Sequence, residues 1–203
     1  NDMASEYETF YIPKHSGGMR EINAPKPELK NLMREIKSIF ETTFKVLYHN
    51  TAYAYCKGRS CKDALIVHQK NESRWFLKMD LKDFFTNCDA TFIHKQLQQL
   101  YPFTILYRTP GYRVYMEELV QLCILHGGLP QGTPLSPMLT NLIMIPLDFK
   151  INAKLFNYEK SHYVYTRYAD DLLISNESSF EYLRIVGEIR NIFAEEAVPF
   201  RIN

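Results

Sequence analysis

The spacing of apolar residues changes character along the chain, and each change marks an element. Tyr7 to Ala24 reads as two extended runs joined at Ser16-Gly17-Gly18, a hairpin signal. Beyond Pro25 and Pro27, residues Leu29, Leu32, Met33, Ile36, Ile39 and Phe40 recur at helical spacing, with Lys30, Arg34 and Lys37 on the wetter side. A Tyr-rich stretch at 50–60 contains the turn Lys57-Gly58-Arg59-Ser60, ahead of a helix from Cys61 to Gln69. Arg74 to Asp80 reads as a strand. Helices are expected near 91–101, 116–126 and 136–155, the last with Ser136 as N-cap and Pro137 at its first position. His162 to Tyr168 and Leu172 to Asn176 are short β-rich runs separated by Ala169, Asp170 and Asp171, which predicts a hairpin. Ser178 with Glu181 forms a capping-box pattern for a helix to about Ala197, and Val198 to Ile202 closes the chain as a strand.

From residue 74 onward the order is β-α-β-β-α-β, the split βαβ arrangement of ferredoxin-like domains. A right-handed crossover makes the first two of these strands run the same way, and the third returns between them. The hairpin turn then lies beside the C-terminal end of the first strand. Asp80 occupies that end, and Asp170 and Asp171 occupy the turn. Three carboxylates distant in sequence thus converge on one sheet edge.

Composition narrows the field without choosing a function. The chain has 203 residues, 46% hydrophobic and 23% charged, enough to bury a core. Subtracting 23 acidic from 24 basic residues leaves a net charge of +1, which excludes a uniformly basic nucleic-acid-coating protein but leaves room for a local basic groove. No apolar run reaches the roughly 18–20 residues that span a bilayer, and the N-terminus lacks a signal-peptide pattern. Cys56, Cys61, Cys88 and Cys123 are irregularly spaced, which argues against a zinc cage and for a reduced, cytoplasmic setting.

Carboxylates packed together repel one another and either take up a proton or bind cations. Hard oxygen ligands favour Mg²⁺, which shares its coordination with substrate phosphates. Two such ions about 3.5–4 Å apart can activate an attacking hydroxyl and stabilise a leaving oxygen. A pair of aspartates in a turn is by itself ordinary turn chemistry. The arrival of Asp80 at the same edge favours a site for metal-assisted phosphoryl or nucleotidyl transfer.

These residues resemble a family. Tyr168-Ala169-Asp170-Asp171 is similar to the YxDD motif of reverse transcriptases, and Asp80 in FLKMDLKDFF resembles their first catalytic aspartate. Gly128 to Pro137 (GLPQGTPLSP) resembles their PQG block, and Tyr11-Ile12-Pro13-Lys14 through Met19-Arg20-Glu21-Ile22 their fingers hairpin. The motifs occur in family order from about residue 7 to 203. RYADD and GLPQGTPLSP look most like bacterial enzymes of retron, abortive-infection or unclassified type. Group II intron enzymes are close relatives that more often carry TPQGG.

The resemblance implies an α+β fold, a polymerase palm with a ferredoxin-like βαββαβ sheet plus a fingers subdomain. Residues 1–74 would form the N-terminal part of the fingers, 75–90 the first palm strand, 91–133 connecting helices and 134–203 the rest of the palm. The implied chemistry is addition of dNTPs to a DNA or RNA primer 3′ hydroxyl on an RNA template. Asp80 and Asp170 would be the main ligands of two Mg²⁺ ions (Mn²⁺ being the alternative), with Asp171 accessory and the Leu81 carbonyl a further ligand. Lys14 and Arg20 would clamp the incoming triphosphate, as cations that neutralise developing charge. Phe85 resembles the aromatic gate that excludes a ribose 2′ hydroxyl, although an aromatic in DFF also suits a core. Gln131 would contact the nucleotide, Gly132 would allow close backbone approach, and Ala169 would leave it room. Tyr168 would sit near the primer end. Lys57 and Arg59 would grip template phosphates, with an ordinary basic turn as the plainer reading.

Family members continue past the FRIN that ends this chain into a primer grip and a helical thumb. No residues remain here for a thumb, so the isolated chain is expected to bind metal and nucleotide but to polymerise weakly. Three other readings remain open to the sequence. A nucleotide cyclase shares the palm fold but would carry a GGDEF-type turn. An RNA-dependent RNA polymerase is disfavoured by Phe85, and a non-catalytic RNA-binding or defence protein by the intact aspartates.

Overall fold

The computed structural model describes residues 3–14, 17–44, 48–157 and 162–203. Its elements are β1 (Tyr7–Pro13), β2 (Met19–Pro25), α1 (Pro27–Thr43), α2 (Cys61–Lys70), β3 (Trp75–Lys82), α3 (Phe84–Asn87), α4 (Ala90–Leu97), α5 (Phe103–Arg108), α6 (Pro110–Cys123), α7 (Ser136–Phe156), β4 (Val164–Tyr168), β5 (Asp171–Asn176), α8 (Tyr182–Glu195) and β6 (Arg201–Ile202). They form two compact units, Asn1–Leu47 with Phe85–Thr140 and Tyr48–Phe84 with Asn141–Asn203. No helix among the described residues is long and apolar enough to cross a membrane.

In the first unit, β1 and β2 pair antiparallel from Tyr7↔Pro25 to Pro13↔Met19, the expected hairpin. Gly17 and Gly18 carry φ of +88° and +80° at its turn; Ser16 lies outside the described residues. Pro27 opens α1, where its missing N–H sacrifices no helical bond. Leu29 and Met33 of α1 are buried, whereas Leu32 and Ile39 are exposed, so the unit covers only part of the apolar face. The stretch expected to hold helices near 91–101 and 116–126 contains three helices, α4 and α5 short and α6 longer than expected. Asp89 caps α4 by accepting from the Phe92 N–H at 2.7 Å, and Pro110 at the start of α6 begins that helix earlier than the apolar spacing indicates. Phe92, Ile93, Leu97, Phe103, Met116 and Val120 from these helices are buried.

The Gly128 to Pro137 segment depends on close backbone contact. A Cβ at Gly128 would run into the main chain of Thr86, with the Thr86 carbonyl carbon only 2.6 Å away. Gly128→Ala is therefore expected to destabilise the fold by about 1–3 kcal/mol, as overpacking does, measured by chemical denaturation; an unchanged midpoint would refute that packing. Ser136 is already helical, and Thr133 rather than Ser136 supplies the capping oxygen, accepting from the Ser136 N–H at 3.1 Å.

The second unit is built on a four-stranded antiparallel sheet in the order β4-β5-β3-β6. This is the expected order, with β5 between β4 and β3 and β6 on the far side of β3. The last strand is shorter than expected, confined to Arg201–Ile202. Side chains alternate across the sheet. One face carries Met79, Leu81, Tyr165, Arg167, Leu172 and Ile174, all buried. Helix α7 reaches this face through Asp148, and it is joined to α8 by the pair Lys154–Glu188 (2.9 Å) and to Glu196, just past the end of α8, by Lys150. The capping box expected from Ser178 and Glu181 is absent. The Ser178 N–H instead donates to the Asn176 side chain, and α8 starts at Tyr182 without a side-chain cap. A capping box does form at α2, where the Ser60 hydroxyl accepts from the Asp63 N–H and the Asp63 carboxylate accepts from the Ser60 N–H. Residues 48–74 fall in the same compact unit as this sheet. His68 of α2 sits between the Ser175 and Thr166 hydroxyls at 2.5 and 2.8 Å, and burial lowers its pKa.

Candidate active site

The sheet register brings the backbones of the three aspartates to one end of β3, as the topology predicts. Asp80 and Asp171 are direct cross-strand partners, and Tyr168 pairs with Asp171 to close the β4–β5 hairpin around Ala169 and Asp170. The Asp170 carbonyl accepts from the Leu81 N–H at 3.0 Å, and the Asp80 carbonyl accepts from the Asn203 N–H at 2.9 Å. The backbones of all three aspartates are thereby tied to the same end of β3. Ala169, the first of the two loop residues, adopts a left-handed φ of 56°. A side chain there costs roughly 1–2 kcal/mol relative to ordinary backbone.

Asp80 and Asp171 lie on the sheet face opposite Leu81 and Met79. Like charges placed directly across a strand pair are destabilising. Lys78, two residues before Asp80 on the same face, reaches Asp171 at 3.0 Å. Its hydrogen bond and charge attraction to Asp171, helped by Asp80 and Asp170, raise the Lys78 pKa. The Asn203 side-chain amide approaches Asp80 at 3.4 Å. Hard oxygen donors at one edge match the chemistry of Mg²⁺, which keeps waters and takes few protein carboxylates. Among the described residues, no group of three His, Cys, Asp or Glu side chains is arranged to hold a metal ion. The donor set therefore fits in kind, without a preformed cage. Tyr168 is exposed beside the carboxylates, and the Leu81 side chain is buried.

Lys57 is exposed. Arg59 has a role that the sequence did not show. Its Nη1 donates to the carbonyls of His49 (2.9 Å), Asn50 (3.3 Å) and Ala52 (2.6 Å), bracing its own loop, and its guanidinium lies over the Tyr53 ring.

The remaining residues singled out in the sequence belong to the first unit. Lys14 and Arg20 are exposed on the hairpin, with Arg20 opposite Ile12. The Gln131 carbonyl accepts from the Asn23 N–H at 2.7 Å, pinning the PQG loop to β2. Gly132 has a φ of 112°, and a Cβ there would stand 2.7 Å from Ile22 Cγ2, so glycine is required on both counts. Phe85 is 9% exposed, and its carbonyl accepts from the Leu129 N–H at 2.9 Å.

Sequence reasoning passed over Lys78 and the buried polar group behind the sheet. The signal for Lys78 was present, since residues two apart on a strand share a face.

Comparison with known proteins agrees with this geometry. Residues 12–203 match the family described as reverse transcriptase (RNA-dependent DNA polymerase). The chain is 30% identical over 194 residues to the retron Ec73 reverse transcriptase of Escherichia coli, covering 95% of this chain and 60% of that protein. It is 32% identical over 183 residues to the retron Mx162 reverse transcriptase of Myxococcus xanthus, covering 86% and 36%. The chain thus spans less than two thirds of these relatives. Among solved structures, apo telomerase from Candida tropicalis, truncated from the C-terminal domain, superposes with a TM-score of 0.60 over 97% of this chain and 48% of that one. At 12% identity that likeness is one of fold.

Proposed function

The chain belongs to the reverse transcriptase family, and from that premise we propose that it is the fingers–palm core of an RNA-directed DNA polymerase acting in the cytoplasm. The substrates are dNTPs, a DNA or RNA primer and an RNA template. The observation that carries the reading is the pairing of Asp80 with Asp171 beside the Asp170 turn, a convergence of acids that the sheet would otherwise have no reason to keep.

Asp80, Asp170 and Asp171 would hold two Mg²⁺ ions, with the Leu81 carbonyl as a further ligand, and the ions would supply Lewis-acid activation of the primer hydroxyl and charge stabilisation of the pyrophosphate leaving group. Lys14 and Arg20 neutralise the triphosphate, and Gln131 with Gly132 receives the nucleotide along the PQG backbone. Ala169 leaves space beside the carboxylates, Tyr168 abuts the primer end, and Lys57, on the loop that Arg59 braces, meets template phosphates. Phe85 selects the deoxyribose by bulk. Phe85→Val is accordingly expected to raise incorporation of ribonucleotides relative to dNTPs by about tenfold or more, read from competitive single-nucleotide addition. Unchanged discrimination would remove Phe85 from that role.

The function is tested by supplying a defined RNA template, a primer, Mg²⁺ and either dNTPs or NTPs, then sequencing the product. The assay uses the chain and any longer natural form that contains it. A primer extended in DNA complementary to the template supports the proposal. Extension in RNA, a cyclic dinucleotide, or RNA binding without synthesis would each replace it with a different activity.

A further inference from the structure

Behind the carboxylate turn lies a buried charge with no part in the roles above. Arg167 and Asp148 have fully buried side chains, 0% exposed on both sides of the pair. Arg167 Nε lies 3.0 and 3.2 Å from the two Asp148 oxygens, and Nη2 donates to Oδ2 at 2.8 Å. The Tyr165 hydroxyl donates to the same carboxylate at 2.8 Å. The remaining nitrogen, Nη1, donates to Asn141 Oδ1 at 3.0 Å and to the Ala169 carbonyl at 3.1 Å. Asn141 is held in turn by its side-chain amide N–H, which donates to the Ala54 carbonyl at 2.8 Å. The Arg167 main chain is fixed as well, its N–H donating to the Thr51 carbonyl and its carbonyl accepting from the Tyr53 N–H.

Ala169 is the loop residue in the left-handed conformation, directly before Asp170. An alanine holds that conformation only where its surroundings over-determine it. From this geometry we propose that Arg167 is a positioning residue for the metal-binding turn. Its guanidinium clamps the Ala169 carbonyl, holds the strained φ and so sets where Asp170 and Asp171 stand relative to Asp80. Asp148 and Asn141 aim the fork. A lysine cannot replace it, because one ammonium lacks the planar fork that serves Asp148, Asn141 and Ala169 together. The inference rests on the carboxylates being the metal site, and it assigns that site a support on the opposite face of the sheet.

The test uses Arg167→Lys, which keeps the buried charge balanced, and Arg167→Met with Asp148→Leu, which removes both charges at once. Each is made with and without Ala169→Gly, since glycine adopts the left-handed conformation without strain. Thermal unfolding, amide exchange at Asp171 and Leu172, and Mn²⁺ affinity by electron paramagnetic resonance are measured on each. Variants that fold, exchange these amides faster and bind Mn²⁺ about 10–100-fold more weakly, with recovery on adding Ala169→Gly, support the clamp. Parental Mn²⁺ affinity and exchange in folded variants would overturn it, as would a loss that the glycine does not relieve. Failure of the double variant to fold also overturns it, by making the pair a requirement of the core rather than of the turn. If the parent protein itself binds no Mn²⁺, the metal-site reading fails separately, and the exchange rates with their glycine rescue still decide the clamp.

Discussion

Asp170→Asn is expected to lower primer extension by about 10³-fold while leaving the fold in place. Removing one anionic oxygen from a two-ion site forfeits several kcal/mol of transition-state stabilisation, and each ~1.4 kcal/mol is tenfold in rate. The Asp170 main-chain carbonyl still accepts from Leu81, so the register of β3 against the hairpin survives the change. Stability should therefore move by less than about 1 kcal/mol. Single-turnover extension and a denaturation curve on the same preparation separate the two effects. Extension within tenfold of the parent would show that Asp170 is not a ligand.

The second large effect is on stability. Arg167→Met alone leaves the Asp148 carboxylate fully buried, with the Tyr165 hydroxyl as its remaining donor among those described above. Burying an uncompensated charge of this kind costs about 3–5 kcal/mol, a large share of the 5–15 kcal/mol that holds a typical domain folded. Urea denaturation should show a midpoint shifted far toward zero or no folded baseline at all. A loss below about 1 kcal/mol would mean that the carboxylate finds water or a proton, and the buried pair would then not be the anchor of this face.

The palm-type sheet was legible because its determinants are local and periodic. The strand around Met79, the short runs flanking Ala169-Asp170-Asp171 and the general crossover rule together placed three aspartates at one edge, and the register Asp80↔Asp171 agrees. The hairpin at the N-terminus was equally plain from its two extended runs and paired glycines. Helix ends were less legible, since a cap depends on three-dimensional reach. Ser178 and Glu181 have the capping-box spacing, yet the Asn176 side chain takes the Ser178 N–H first. Ser60 and Asp63 form the box with an acid one methylene shorter than the usual Glu.

The support of the turn was illegible for a different reason. Nothing in the sequence around Tyr168 marks Arg167 as buried, and only strand alternation hints that it faces inward with Tyr165. Asp148 gave a fainter signal, as a lone carboxylate in the apolar helix that runs through Leu142, Ile143, Met144 and Leu147. Neither observation implies the other until the fold joins them. Arg59 is the converse case. A basic turn residue that suggested template binding braces its own loop through three carbonyls, a use that composition alone does not reveal.

The central claim is that the acids at the end of β3 and at the β4–β5 turn form one divalent-metal site. The measurement that tests it most directly is Mn²⁺ binding, followed by electron paramagnetic resonance in the presence of a dNTP, on the parent and on Asp80→Asn. The account predicts saturable binding of two ions to the parent and loss of that binding in the variant, with both proteins equally folded. Equal stoichiometry and affinity in the two would contradict it and move the metal, and with it the chemistry, away from this edge of the sheet.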